Sequence, residues 1–294
     1  MSVCKKSRKR YGLEPLLPGV FEVYFMARQD TPENLQKAAE LFRYIFKHFD
    51  EVGYSEKEPK IFRPILPLES KEKLIKIDES FDASQQVLSY EQVEDLINQN
   101  EFFALIPCQC RLIGEMTGEP CKVAPKEMGC IAAGRSAQGV ELFGWGKTMT
   151  KEETIEYLKK AEKKGLVHMT SNTKGGEHLM YICNCCSCHC GVLMPTKNYK
   201  MKMISPSNFK PTFDGELCTN CKLCIKKCPM EAITSPEEKV MVIQSNDCIG
   251  CGVCAFNCSS GAMKLEKVTE TDLPEWHKIG RKIFMKTMGD LMKS

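Results

Sequence analysis

The sequence has no run of apolar residues long enough to cross a bilayer, and no apolar stretch follows its basic start, MSVCKKSRKR. Neither a membrane span nor a secretory signal is therefore read from it, and a cytoplasmic protein is expected. Neither sign of charge dominates. Forty-one Lys and Arg stand against 38 Asp and Glu, a net +3 that is too small to imply nucleic acid, and Lys5, Lys6, Arg8, Lys9 and Arg10 read as a solvated tail. The G-x-G-x-x-G turn of dinucleotide sites is missing, and so is a P-loop: GWGKT at 144–148 lacks the glycine that should stand five residues earlier. These absences exclude nucleotide chemistry as the organising function.

Cysteine, in contrast, is abundant, with 18 in 294 residues. Without an export signal, closely spaced thiols point to a reducing compartment and to metal rather than disulfides. Their distribution divides the chain into 1–80, 81–205, 206–268 and 269–294. Residues 1–80 hold only Cys4. Thr31 is a good N-cap there, Pro32 suits the first helical position, and Ala38, Ala39, Leu41, Phe42, Ile45 and Phe46 recur at helical spacing. IFRPILPL then reads as short extended pieces broken by Pro64 and Pro67.

Within 81–205, Ser89 and Gln92 fit a capping box for a short helix, followed by the apolar run FFALI. Thr150 and Glu153 cap a second helix, with Gly165 placed as its left-handed C-terminal residue. LVHMTS and HLMYI flank NTKGGE and predict a hairpin, so 150–183 reads as a helix followed by a two-stranded wing, a winged-helix-like pattern. The mixed charges of KEETIEYLKKAEKK speak against a phosphate-binding face. The tail from Pro274 places Trp276, Ile279, Ile283, Met288, Leu291 and Met292 on one stripe of a C-terminal amphipathic helix. The fold expected is α+β: a helical, winged-helix-like cysteine-rich part, then a cluster-binding domain, then that helix.

The strongest motif is CTNCKLCIKKCP, which supplies Cys218, Cys221, Cys224 and Cys228 as C-x2-C-x2-C-x3-C-P. It recurs in CIGCGVCAFNC, with Cys248, Cys251, Cys254 and Cys258. The pair of loops resembles the bacterial dicluster ferredoxin, which holds two [4Fe-4S] cubanes. Zinc is a poor competitor, because zinc ribbons use two pairs of ligands rather than three cysteines in series. The resemblance implies that the fourth cysteine of each run crosses over. Cys218, Cys221, Cys224 and Cys258 are then assigned to one cluster, and Cys248, Cys251, Cys254 and Cys228 to the other. Pro229 follows Cys228 as the pattern expects, whereas Ser259 follows Cys258, which adds donors near that cluster. Lys222, Lys226 and Lys227 surround the same cluster's loop, so the two potentials should differ.

Nine further cysteines are candidate ligands: Cys108, Cys110, Cys121, Cys130, Cys183, Cys185, Cys186, Cys188 and Cys190. The order PCQCR, two more cysteines, a helix ending in GLVH, CNCC-x-C-x-C and then the dicluster motif resembles a family of iron–sulfur binding proteins from anaerobic prokaryotes. That family carries cysteine where this chain has His189, and its resemblance supports the cofactor more than the function. Nine thiols suffice for one or two further clusters, and adjacent Cys185 and Cys186 point apart in a strand, which favours two centres or one larger one. His189 is either a ligand or a hydrogen-bonding neighbour, and Arg111 either a donor to the cluster or a surface side chain. A zinc site within this group stays open.

The function expected is electron relay between redox protein partners, within or beside a larger multi-subunit anaerobic complex. Two alternatives remain: a redox- or iron-sensing regulator, and an enzyme using an unusual cluster at CNCCSCHC.

Overall fold

A computed structural model describes residues 19–48, 60–68, 74, 91–172 and 181–271. The basic start, Ser89, the middle of the expected hairpin turn and the helix from Pro274 lie outside these residues.

Two helices open the described chain. Helix α1 (Phe21–Ala27) is followed by α2 (Pro32–Lys47), which begins where the sequence says it should: the Thr31 hydroxyl accepts from Asn34 N–H at 3.2 Å. Phe21, Phe25, Phe42 and Phe46 meet mostly edge-to-face, with ring centroids 4.7–6.2 Å apart. Each such buried ring contributes roughly 1.5–3 kcal/mol. This aromatic cluster joins a core that also contains Cys185 and Cys190.

The next elements are β1 (Phe62–Pro64), α3 (Val93–Asn98), β2 (Phe103–Ile106), α4 (Gln109–Met116), β3 (Cys130–Ala133) and α5 (Arg135–Leu142). They are followed by β4 (Lys147–Met149), α6 (Lys151–Lys163), β5 (Val167–Ser171) and β6 (Tyr181–Cys185). The strands form one sheet in the order β1-β5-β6-β3-β2-β4, with every pair antiparallel. Pro64 sits on the edge strand, where a residue without an N–H does least harm.

Two expectations need correction. The helix-and-wing reading of 150–183 finds its helix and its antiparallel pair, but β5 and β6 do not project as a free two-stranded wing. β5 also pairs with β1, and β6 with β3, so both are interior strands. Val167 to Thr170 are buried on both faces of the sheet, which a two-stranded reading cannot anticipate. The helix expected from a Ser89–Gln92 capping box starts later. Gln92 is extended and makes no capping bond, because its segment bridges Leu66 before α3 begins at Val93.

Alternation decides what each face carries. Phe103, Ile131 and Ile182 face a core with Leu96, Ile97 and Leu158 from α3 and α6, whereas the small Ala104 and Ala132 face α5 through Ala137 and Val140. Helix α6 has the expected capping box, and at its end Gly165 N–H bonds Glu162 O while Leu166 N–H bonds Ala161 O. Gly165, at φ +83°, supplies the left-handed step that this closure needs.

The last part holds α7 (Leu193–Tyr199), β7 (Phe209–Phe213), α8 (Leu223–Lys227), β8 (Ile233–Thr234), β9 (Val242–Ile243), α9 (Val253–Phe256) and β10 (Met263–Lys267). β7 pairs with β10 and β8 with β9, each antiparallel. The internal repeat is written in the backbone as well as in the cysteines. Asn220 and Lys222 in the first loop, and Gly250 and Gly252 at the same offsets in the second, all have positive φ.

Candidate metal centres

Two cavities lie in the repeat. Cys218, Cys221, Cys224 and Cys258 line one, with Phe213, Leu223, Met241 and Met263 among its apolar neighbours. Cys228, Cys248, Cys251 and Cys254 line the other, beside Pro211, Met230, Ile233 and Ile249. Each cavity thus gathers three thiols of one loop and the last of the other. All-thiol donors in an apolar lining are the chemistry a [4Fe-4S] cluster requires. Backbone donors already face the sulfurs: Asn220 N–H to Cys218 Sγ at 3.3 Å, Ala232 N–H to Cys228 Sγ at 3.3 Å and Met263 N–H to Cys258 Sγ at 3.4 Å. Burial, more than neighbouring thiols, pushes Cys251 up to about 12.

The hydroxyl expected near Cys258 comes from a different serine. Ser260 Oγ lies 3.5 Å from Cys258 Sγ, whereas Ser259 is exposed, because the turn after α9 carries its first residue outward. The three lysines of the first loop also differ. Lys222 and Lys226 are exposed, but the Lys227 ammonium donates to the Lys163 carbonyl at the end of α6. The first cavity reaches the surface, since Cys221 is exposed and Leu223 is 37% accessible.

The nine upstream cysteines fall into two groups. Each of six thiols perturbs the next, Cys108 with Cys110, Cys110 with Cys190, Cys190 with Cys185, Cys185 with Cys183 and Cys183 with Cys130. Cys130 and Cys108 also sense each other's charge, so the six make a ring. Local structure explains most of it. Cys108 stands just before α4 and Cys110 in its first turn, Cys130 opens β3, and Cys183 and Cys185 share one face of β6. Cys190 accepts from Val192 and Leu193 N–H at 3.4 and 3.5 Å, and these donors with Cys110 and Cys185 hold it well below the usual thiol range. The neighbouring Cys130 and Cys185 thiols bring Cys183 down to about 5.

Cys121, Cys186, Cys188 and His189 form the second group, their ligand atoms all within 4.8 Å of one another. Cys186 turns to this group and Cys185 to the ring. His189 Nε2 donates to the Glu119 carbonyl at 2.7 Å, leaving Nδ1 3.2 Å from Cys188 Sγ. Burial would lower the imidazole's pKa, but the nearby Cys121 and Cys186 thiols outweigh it and raise it to about 9. Hydrogen bonds from Cys121 and Cys188 lower Cys186 in turn.

Arg111 sits between the groups and is no surface residue, being 1% exposed. Its guanidinium donates to the carbonyls of Pro125 and Asn184, each at 3.1 Å, and of Met128, and it meets Cys186. A buried guanidinium held by carbonyls is a fixed positive charge for the thiolates on both sides. Sequence reasoning did not find Glu119 or Gly114. Glu119 carries no motif; Arg43 and Lys47 of α2 pin its carboxylate at 2.7 and 2.6 Å and lower it to about 2. A Cβ on Gly114 would overlap His189 Cδ2, so only glycine admits the imidazole.

Residues 217–263 match the family model of the 4Fe-4S dicluster domain. An uncharacterized ferredoxin of Methanocaldococcus jannaschii is 42% identical over 57 residues, which are 92% of that protein and 19% of this chain. The pyruvate synthase subunit PorD of Methanothermobacter marburgensis is 37% identical over 73 residues, 85% of its length and 25% of this one. A tetrathionate reductase subunit of Archaeoglobus fulgidus is 35% identical over 57 residues, 28% of that protein and 19% of this chain. No solved structure matches the chain. No helix among the described residues is long and apolar enough to cross a membrane.

Proposed function

The chain belongs to the ferredoxin family through its 4Fe-4S dicluster domain, and from that premise we propose that it carries electrons between a docked redox partner and a buried six-cysteine centre. Cys218, Cys221, Cys224 and Cys258 would hold one cluster, and Cys228, Cys248, Cys251 and Cys254 the other. The ring of Cys108, Cys110, Cys130, Cys183, Cys185 and Cys190 would hold further iron–sulfur. Bound there, such groups supply one-electron oxidation and reduction.

The observation that carries this reading is the continuity of the apolar core. Cys185, Cys190, Cys110 and Cys183 pack in the same core as Met230, Ile249, Val253, Cys228, Cys248 and Cys251. A second core contains Cys224, Cys254 and Cys258 and touches Cys218 and Cys228. The thiol sites therefore succeed one another through apolar packing from the six-cysteine ring toward the exposed Cys221. Side chains along this course exclude water and fix the donors, which lowers the reorganisation that accompanies a change of charge. The PorD and tetrathionate reductase relatives are named as subunits of larger enzymes, which supports a partner for this chain too, docked at the Cys221 loop.

The test is iron content with reductive titration of anaerobically prepared protein. Two cubanes account for about 8 irons per chain, and one more centre raises this to about 12. Cys185→Ser should lower the count toward 8 while the two ferredoxin signals persist. A wild-type count near 8, or a full complement of clusters that accepts no electrons from a strong one-electron reductant, would remove the relay reading.

A further inference from the structure

We propose that Cys121, Cys186, Cys188 and His189 form a closed site for one tetrahedral divalent ion of the zinc type, separate from every iron–sulfur centre. The argument is geometric and does not depend on the relay function. Cys121 Sγ lies 3.7 Å from Cys186 Sγ and 3.6 Å from Cys188 Sγ. Zinc bonded to sulfur at about 2.3 Å in a tetrahedron sets its sulfurs about 3.8 Å apart, and a nitrogen at about 2.0–2.1 Å stands about 3.5 Å from each sulfur. Both sulfur–sulfur distances match that edge, His189 Nδ1 stands 3.2 Å from Cys188 Sγ, and all four ligand atoms lie within 4.8 Å of one another. A cubane cannot use them, because each of its thiolates binds a different iron of the cage and the sulfurs must stand much further apart.

The imidazole fits the same reading. Its Nε2 is committed to the Glu119 carbonyl, so Nδ1 is the nitrogen offered to the thiols, the arrangement that orients metal-bound histidines. Three thiolates and one imidazole complete a tetrahedron and leave no position for substrate, the mark of a structural site. Soft sulfur with one imidazole also suits zinc better than calcium, magnesium or manganese.

The placement says what such an ion would do. Cys186, Cys188 and His189 lie along the chain between Cys185 and Cys190 of the six-cysteine ring, while Cys121 comes from the loop after α4. One ion therefore ties that loop to the turn after β6 and holds two ring cysteines at fixed positions on either side of it. Metal binding replaces thiol and imidazolium protons, so the ion should bind more tightly as pH rises.

The experiment is metal analysis and zinc-edge X-ray absorption on the full-length, anaerobically purified protein. About one zinc per chain is expected, with three sulfurs near 2.3 Å and one nitrogen near 2.0–2.1 Å. Cys121→Ser should cut zinc at least tenfold and leave iron unchanged. If that variant does not fold, His189→Cys should keep the zinc and convert its shell to four sulfurs. Iron in place of zinc, zinc with another shell in the wild type, or a loss of about 4 irons in Cys121→Ser would each overturn the proposal.

Discussion

Arg43 Nη2 lies 2.7 Å from Glu119 Oε2, and through that contact helix α2, which carries no cysteine, braces the loop whose carbonyl orients His189. Lys47 adds a second cation at 2.6 Å. The paired cations lower Glu119 to about 2, so its contribution to stability is whole above about pH 4.5 and is lost as pH falls toward 2. The carboxylate side chain is 46% exposed, so screening keeps the gain below about 1 kcal/mol. Glu119→Gln should lower the urea midpoint slightly at pH 7, with a difference from wild type that begins to shrink below about pH 4.5. A difference that grows on acidification would contradict the assignment.

Gly114→Ala should drive His189 from its place, since the added Cβ would overlap the imidazole and crowd the Glu119 carbonyl at 2.9 Å. Affinity for the ion at the Cys121 group should fall roughly 10–100-fold, the usual consequence of disturbing a ligand's orientation. Competition with a chromogenic chelator measures this, and iron content should not change.

Cys258→Ser and Cys218→Ser should perturb the same electron paramagnetic resonance signal, and Cys228→Ser should mimic Cys248→Ser. These thiols line common cavities although they come from different loops. Grouping by loop instead would refute the crossed arrangement.

Ser260→Ala removes a hydroxyl 3.5 Å from Cys258 Sγ. Fewer donors to a ligand sulfur stabilise the reduced, more negative cluster less, so the potential of the centre served by Cys258 should fall. The other centre should hold its value in a spectroscopic redox titration, and Ser259→Ala should move neither.

Lys222→Glu with Lys226→Glu should slow electron transfer to an acidic partner and reduce its salt dependence, leaving iron content unchanged. Lys227→Glu should act differently. Its ammonium caps the end of α6, so the loss there is about 1 kcal/mol of stability, read from the unfolding midpoint. Equal kinetic effects from all three positions would show that Lys227 also faces the partner.

The sequence by itself determined whatever lies within a few residues along the chain. C-x2-C-x2-C is a complete local instruction, because one short loop can deliver its three thiols to one cage. The Thr31 and Thr150 caps and the Gly165 turn were legible for the same reason, since each bond spans only a few residues. Tertiary structure alone decided the division of the nine upstream cysteines. Cys108, Cys130 and Cys185 come from three separate segments, and it is the pairing of β2 with β3 and of β3 with β6 that brings them to one ring. Alternation along β6 then gives Cys183 and Cys185 to that ring, while the turn beyond carries Cys186 away to Cys121. Register and turn geometry follow from packing across the whole sheet, which no local spacing encodes.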